Sequence, residues 1–345
     1  MAQTESVNRS LVLAERPQGA PDKNTMRLET GAVPVPGAGE MLLRTEYLSL
    51  DPYMRGRMSA APSYAPPVEI GAVMVGGTVS EVISSNLDGF VPGDQVLSFN
   101  GWQDYALSDG AGVTPLGRNP ENASWALGIM GMPGFTAWAG LTKIGLPKAG
   151  ETLVVAAATG PVGATVGQIG KILGCHVVGI AGGAEKCAFA VDTLGFDVCI
   201  DHKADDFAAQ LQAAVPDGID IYYENVGGKV FDAVLPLLNK NARVPVCGLV
   251  SQYNATKLPD GPDRMNMLMG VLLRKQITMR GFIIFEDFAP LYPEFAAIMT
   301  GWIKEGKIQY REEIIDGLEN APDAFGGLLK GENFGKRVIR VGATS

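Results

Sequence analysis

Histidine and cysteine are scarce in this chain of 345 residues. It has two of the first, His176 and His202, and four of the second, Cys175, Cys187, Cys199 and Cys247. No two cysteines form a C-x-x-C knuckle, and the first 130 residues hold neither residue type. Zinc sites need such ligands to converge, so no metal is expected and the cysteines read as buried free thiols. A basic excess is also missing. The net charge of −9, with no basic cluster to offset it, argues against a nucleic-acid partner. No apolar run reaches the roughly 18 residues of a bilayer span, because Gly, Pro or charge interrupts each one. The opening MAQTESVNRS is polar and lacks the apolar centre of a signal peptide, which makes the cytosol the expected location. What is present is a core: 46% of the residues are apolar, enough for a globular chain of this length divided into two domains.

The rest of the chain is arranged around 152–174, TLVVAAATGPVGATVGQIGKILG. Leu153, Val154, Val155, Ala156, Ala157 and Ala158 run without a polar break, the pattern of a strand buried on both faces of a parallel sheet. A turn follows at 159–163. Val162, Val166, Ile169 and Leu173 then recur at helical spacing. Strand, glycine turn and helix open a dinucleotide-binding βαβ unit, in which a helix N-terminus receives the pyrophosphate. The glycine pattern reads A-x-G-x-x-G, from Ala158 through Gly160 to Gly163. Gly160 allows close backbone approach and Gly163 close helix–strand packing, although a plain structural turn can use the same glycines.

Residues 1–130 read as mostly β. Short runs such as 41–43 and 73–75 are separated by Val35-Pro36-Gly37, Gly76-Gly77 and Val91-Pro92-Gly93-Asp94, the turn density of a small barrel. A helix over 134–141 leads into the second part. From 152 the period alternates. Strands are expected at 153–158, 176–181, 198–200, 219–223, 243–247 and 277–284, with helices at 184–194, 204–214 and 230–238 between them. Six strands with alternating helices make a complete doubly wound parallel α/β sheet. A loop rich in Pro and Gly is expected at 258–262, and an amphipathic helix at 295–304. The segments 310–315 and 337–341, flanking a short helix at 321–329, are too short to fold alone and are expected to complete the first domain. The expected division is therefore 1–131 with 309–345, and 132–308.

An NAD site carries an acid at the end of the second strand, about 20 residues past the glycine turn, on the ribose 2′-hydroxyl. Here that strand ends in Ala181-Gly182-Gly183, and Lys186 follows. The missing acid and the added ammonium both point to NADP, although Lys186 could also be a solvated residue beside Glu185. Ligands bind beyond the carboxyl ends of such sheets, which places Asn225, Gly248, Ser251, Tyr253 and Phe282 around the nicotinamide ribose. Asn225 could equally be a left-handed turn residue before Gly227 and Gly228.

These residues carry a resemblance. YLSLDPYMRGRM (47–58), GWQDY (101–105), GMPGFTAW (131–138), AAATGPVGATVGQIGK (156–171), YYENVGGKVFD (222–232), CGLVSQYN (247–254) and GENFGK (331–336) together resemble the zinc-independent medium-chain dehydrogenase/reductases. The similarity is to the group holding prostaglandin/leukotriene reductases, plant double-bond reductases and bacterial curcumin/dihydrocurcumin reductases. It runs nearly end to end with the motifs in order.

The resemblance implies a six-stranded Rossmann sheet beside a GroES-like mostly-β barrel, in a homodimer. It also implies NADPH-dependent reduction of a C=C bond conjugated to a carbonyl. The pyrophosphate contacts carry over onto Gly160, Pro161, Val162 and Gly163, and the 2′-phosphate contact onto Lys186. Asn225 carries over as well, as do Cys247, Gly248, Leu249, Ser251 and Tyr253 near the nicotinamide, then Phe282, Ile283 and Ile284, and Asn333 from the returning segment. His202 stands where relatives often have Tyr beside the adenosine phosphate, and a neutral imidazole can still donate one hydrogen bond there.

In such a reduction hydride reaches the β-carbon and charge builds on the carbonyl oxygen. Hydroxyl donors, those of tyrosines and of the ribose, are the candidates to stabilise it. Tyr253 is the first choice, with Tyr53 and Tyr64 from the β part facing the substrate. Each could instead be a packing aromatic. Solvent can supply the proton to the α-carbon. Arg55 and Arg57 could attract an anionic substrate or form internal salt bridges, and Met54, Met58 and Met74 could line a pocket or fill the core. A quinone reductase, which would use the same cofactor site and also lack zinc, remains an alternative. So does a non-catalytic NADPH-binding protein of crystallin type, against which stand the intact cofactor motifs and the tyrosine-bearing loops.

Overall fold

A computed structural model of the chain describes residues 7–257 and 262–342. The expected loop at 258–262 lies, except for Pro262, outside the described residues. The chain forms two compact units, one holding the described residues up to Gly128 and those from Glu312 onward, the other Ile129–Arg311.

In the first unit β1 (Val7–Leu13) pairs antiparallel with β2 (Met26–Ala32), Leu13 opposite Met26. β3 (Met41–Ser49) leads into α1 (Tyr53–Arg57), a short helix started by Pro52. β4 (Thr78–Ser85), β5 (Gln95–Ser98), β6 (Tyr105–Ser108) and β7 (Thr114–Gly117) follow. The run 73–75 is not a strand. Val73 makes one isolated bridge to Val12, while Met74 donates to Leu11 O and accepts from Trp102 N, so the segment is threaded between β1 and the 101–102 turn. Gly76 then brings the backbone so close to Leu48 that an added Cβ would lie 2.8 Å from its Cδ1.

The second unit opens with α2 (Met132–Ala139), followed by the strand–helix series β8 (Thr152–Ala156), α3 (Pro161–Ile172), β9 (His176–Ala181), α4 (Ala184–Asp192), β10 (Val198–Asp201), α5 (Phe207–Ala214), β11 (Ile219–Tyr223), α6 (Gly228–Val234) and β12 (Leu238–Val246). α7 (Met265–Lys275), β13 (Thr278–Gly281), α8 (Ile284–Asp287) and α9 (Tyr292–Lys304) complete it. The six strands are all parallel, in the order β10-β9-β8-β11-β12-β13. This is the doubly wound Rossmann sheet. Its order reverses between β8 and β11, which opens a crevice at their carboxyl ends.

Every residue of β8 is buried, and full burial of each Leu or Val is worth roughly 1.5–3 kcal/mol relative to exposure. Two expected boundaries shift for local reasons. The helix expected over 230–238 ends as α6 at Val234 and tightens through Leu235–Leu237, where Pro236 lacks a backbone donor. The strand expected over 277–284 stops at Gly281, because the Asp287 carboxylate accepts from Ile283 N (2.8 Å) and closes α8.

The chain returns to the first unit as β14 (Glu312–Asp316), α10 (Ala321–Leu329) and β15 (Lys336–Arg340). These extend its sheet to the order β14-β15-β3-β4-β5-β7, with β6 on β3. Leu48, Met54, Met58, Met74, Trp102 and Phe325 pack in its main core, with the Trp102 and Phe325 rings edge-on at 5.8 Å. The three methionines therefore fill the core. Among the described residues no helix is long and apolar enough to cross a membrane.

Candidate active site

At the tip of β8 the chain leaves the sheet through Ala157, held at φ 53°, a left-handed conformation unusual for a residue with a Cβ. Ala158 N donates to Ile180 O (3.0 Å) and Gly160 N to Ala157 O (2.9 Å), which fixes the turn against β9. α3 begins at Pro161, whose missing donor suits a first helical position, and no side chain caps it. Its first N–H groups and the positive end of its dipole are left to receive an anion. A Cβ at Gly163 would lie 2.2 Å from Ala157 O, and one at Gly160 would lie 3.3 Å from the same oxygen. The start of α3 at Gly160, Pro161, Val162 and Gly163 is thus a cradle clear of capping side chains, and it fits a dinucleotide pyrophosphate.

The tip of β9 collects positive charge. Lys186 is the third residue of α4 and half-buried. His202 follows β10, its backbone N donating to Ala181 O (3.0 Å). A Cβ on Gly182 would meet His202 Nε2 at 3.0 Å and Lys203 Cε at 3.2 Å. Burial holds the His202 imidazole below its ordinary pKa; Lys229 and Lys203 push the same way and Asp201 opposes them. The Asp201 carboxylate is itself held low by the backbone N–H of Lys203 and of Gly183. Lys203 and Lys229 were not singled out from the sequence. The signal for Lys203 is its place just beyond the end of β10, beside β9.

Across the crevice, Asn225 Nδ2 donates to Ala156 O (2.8 Å). Asn225 is not left-handed; Gly227 and Gly228 take that role at φ 75° and 59°. Its carbonyl accepts from Val250 N (3.2 Å), and Val226 O accepts from Ser251 N (3.1 Å) and Ser251 Oγ (2.6 Å). The loop after β12 is thereby laid over the tip of β11. Within it Leu249 N donates to the Tyr253 hydroxyl (3.4 Å), which also lies 3.1 Å from where a Cβ on Gly248 would be. Cys247 N donates to Glu224 O (2.9 Å), and burial pushes the Cys247 thiol up to about 12. Burial likewise raises Cys175, to about 11, and also Cys187 and Cys199. Phe282 is buried against Phe288 (5.9 Å), and Ile283 and Ile284 start α8 beside it.

Glu224 was also missed, since ENVGG drew attention to its asparagine. Its Oε1 accepts from Tyr222 OH (3.0 Å), Val226 N (2.7 Å) and Gly227 N (2.8 Å), so the carboxyl shapes the tip of β11. Burial raises its pKa against those donors, and Oε2 is buried with no hydrogen bond among the described residues.

The remaining candidates belong to the other unit. Tyr53 opens α1 and packs on the main core; burial, with the Asp51 charge adding, holds its phenol well above the ordinary range. Tyr64 is 55% exposed in a loop tied to α1, Arg57 Nε donating to Pro66 O (2.6 Å) and Val68 N to Arg57 O (2.8 Å). Arg55 donates to Gly19 O (2.8 Å) and Pro17 O (3.3 Å), so its guanidinium holds backbone carbonyls. Asn333 is buried, donating from Nδ2 to Gly335 O (2.9 Å).

Two family models match the chain, one described as the N-terminal domain of oxidoreductase over residues 9–116, the other as zinc-binding dehydrogenase over 161–301. Among the described residues no three His, Cys, Asp or Glu are grouped to hold a metal ion. The chain is 66% identical over 341 residues to the NADPH-dependent curcumin reductase of Escherichia coli K12, covering 99% of each. It is 39% identical over 352 residues to a 2-alkenal reductase (NADP(+)-dependent) of Nicotiana tabacum, covering 98% of each. The crystal structure of CurA in complex with NADPH from Vibrio vulnificus superposes with a TM-score of 0.95 at 64% identity, covering 97% of this chain and 99% of that one. With two family models matched and relatives covered nearly end to end at 66% and 39% identity, the chain belongs to the medium-chain dehydrogenase/reductase family, in its group of NADPH-dependent curcumin and alkenal reductases.

Proposed function

We propose that this protein reduces the C=C bond of α,β-unsaturated ketones and aldehydes, curcumin-like diarylheptanoids included, with NADPH. The observation that carries the reading is the uncapped start of α3 at Gly160–Gly163, joined to a lysine-bearing β9 tip where an NAD site would carry an acid. The relatives' activities support it.

NADPH, when bound, supplies the hydride that reaches the β-carbon of the enone. The first turn of α3 binds the pyrophosphate through its backbone donors, and Lys186, Lys203 and His202 receive the 2′-phosphate. Asn225 and the 247–253 loop orient the nicotinamide end, with Phe282, Ile283 and Ile284 excluding water there. Asn333 adds a polar contact to the cofactor. Tyr253 supports the charge that develops on the carbonyl oxygen, an effect typically worth ~3 kcal/mol per donor, and Tyr53 and Tyr64 position the substrate. Solvent delivers the proton to the α-carbon. In this reading residues 1–131 with 309–345 form the substrate domain and 132–308 the dinucleotide domain. The protein acts as a homodimer in the cytoplasm. α7 exposes Met265, Met267, Met269 and Leu273 beside the edge strand β13, an apolar face suited to a second copy.

The test is NADPH oxidation measured over enones, alkenals and quinones, repeated with Lys186→Ala. Enone turnover with a raised NADPH KM and little change in kcat in the variant is expected. Turnover of quinones alone sinks the reading.

A further inference from the structure

Lys336 is 1% exposed in the first unit, a burial that lysine rarely tolerates without partners. Its ammonium donates to Ser49 Oγ (2.6 Å), Leu50 O (2.9 Å) and Asp51 Oδ1 (2.6 Å), so each of its hydrogens has an acceptor. Ser49 Oγ in turn donates to the other Asp51 oxygen. Asp51 is 5% exposed, and its carbonyl accepts from Met54 N (3.1 Å) at the start of α1. Leu50 N donates to Arg337 O (3.3 Å), so the backbones beside this network are bonded as well.

The network joins two segments far apart in sequence. One is the 49–53 stretch that ends in Tyr53; the other is the 333–336 turn, where Asn333 is bonded to Gly335 O. A well-packed apolar pair could fill the same space with equal or greater stability. What an ammonium adds is direction, since three oxygen acceptors fix both segments at once. Met54 and Met58 of the neighbouring core are fully buried, and their apolar side chains supply no such directional contact.

We propose that Lys336 is a positioning residue for the enone reduction, its buried ammonium holding the Tyr53 end of α1 in register with the Asn333 turn. This rests on the proposed roles of Tyr53 and Asn333. Lys336 acts through them and touches neither substrate nor cofactor.

The experiment compares Lys336→Met, Lys336→Arg, Ser49→Ala, Tyr53→Phe and Asn333→Ala in the full-length protein. Each is checked by circular dichroism and thermal melting, then assayed with 4-phenyl-3-buten-2-one and NADPH. Lys336→Met is expected to lower kcat about tenfold or more, with the NADPH dissociation constant within about threefold, because the phosphate contacts lie in the other unit. Lys336→Arg recovers part of the loss. Combined with Tyr53→Phe, Lys336→Met should lose little beyond the worse single variant, because both act on one element. If Lys336→Met does not fold, Ser49→Ala carries the test with an expected kcat loss of about two- to fivefold. A folded Lys336→Met or Ser49→Ala with unchanged kcat, or strictly additive losses with Tyr53→Phe, overturns the positioning role while leaving those of Tyr53 and Asn333 standing. Full turnover in both Tyr53→Phe and Asn333→Ala sinks those two roles and the proposal together.

Discussion

The side-chain amide of Asn225 donates to the main-chain oxygen of Ala156 across 2.8 Å, joining the ends of β11 and β8 where the strand order reverses. Ala156 is fully buried, so its oxygen has no water to turn to when the amide is removed. Asn225→Ala should destabilise the fold by roughly 1–3 kcal/mol, the range for an orphaned buried acceptor. It should also weaken NADPH binding, because the glycine turn begins at the next residue. Thermal melting with and without NADPH checks both, and an unchanged melting temperature rejects the bond's importance.

Gly163 and Gly160 differ in how much room they leave. A Cβ at Gly163 would lie 2.2 Å from Ala157 O, and the same oxygen is 3.3 Å from a Cβ at Gly160. Gly163→Ala should therefore push α3 away from the turn, with a cost of about 1–3 kcal/mol and a rise in NADPH KM. Gly160→Ala should be milder on stability. A melting series on the two variants gives the order, and a reversed order refutes the contact.

The sheet was largely legible because its signal is simple. β9 and β11 stand where their apolar runs place them, each buried and bounded by Gly or Asp. β2 was invisible, since six of its seven residues are exposed and none alternates with a core. α7 was missed for the opposite reason: it is apolar nearly all round, yet only Val271 is buried, so no stripe marks a packed face. The glycine turn and Asn225 were readable from motif and strand end together. The surroundings of Lys203 and Glu224 were not, because they come from the folded turns, Gly182 beyond the end of β9 for one and the backbone of Val226 and Gly227 curling back on the carboxylate for the other.

His202, in its proposed place beside the 2′-phosphate, is expected to give NADPH binding a pH response. Burial, aided by Lys229 and Lys203, lowers its pKa, so in the free protein it is neutral at pH 7. A 2′-phosphate beside it favours the imidazolium, so the complex binds more protons than the free protein. NADPH binding should therefore tighten by about two- to fivefold as pH falls from about 8 to about 6, whereas NADH binding should not. In the free protein the sign is opposite. The depressed pKa stabilises the fold above about pH 6.5, and that contribution is lost as pH falls through the lowered value. His202→Tyr should flatten the NADPH profile, and Lys203→Ala should raise the NADPH KM with kcat preserved. Fluorescence titration of NADPH at several pH values decides both, and parallel NADPH and NADH profiles would reject the assignment.

Tyr253 is held by the loop it serves, its hydroxyl accepting from Leu249 N. If that hydroxyl supports developing charge, Tyr253→Phe should lower kcat about tenfold to a hundredfold while NADPH binding changes little. Single-turnover kinetics with a fixed enone separates the two effects. Equal kcat in the variant assigns the residue to packing.

The thiols have a consequence for a protein that handles soft electrophiles. Conjugated carbonyls alkylate sulfur, and it is the deprotonated sulfur that attacks. With Cys175 raised to about 11, Cys247 to about 12, and Cys187 and Cys199 raised as well, almost none of the anion is present at neutral pH. Such a chain is expected to resist alkylation by conjugated carbonyls. It should outlast proteins with ordinary surface cysteines in the same solution of enone.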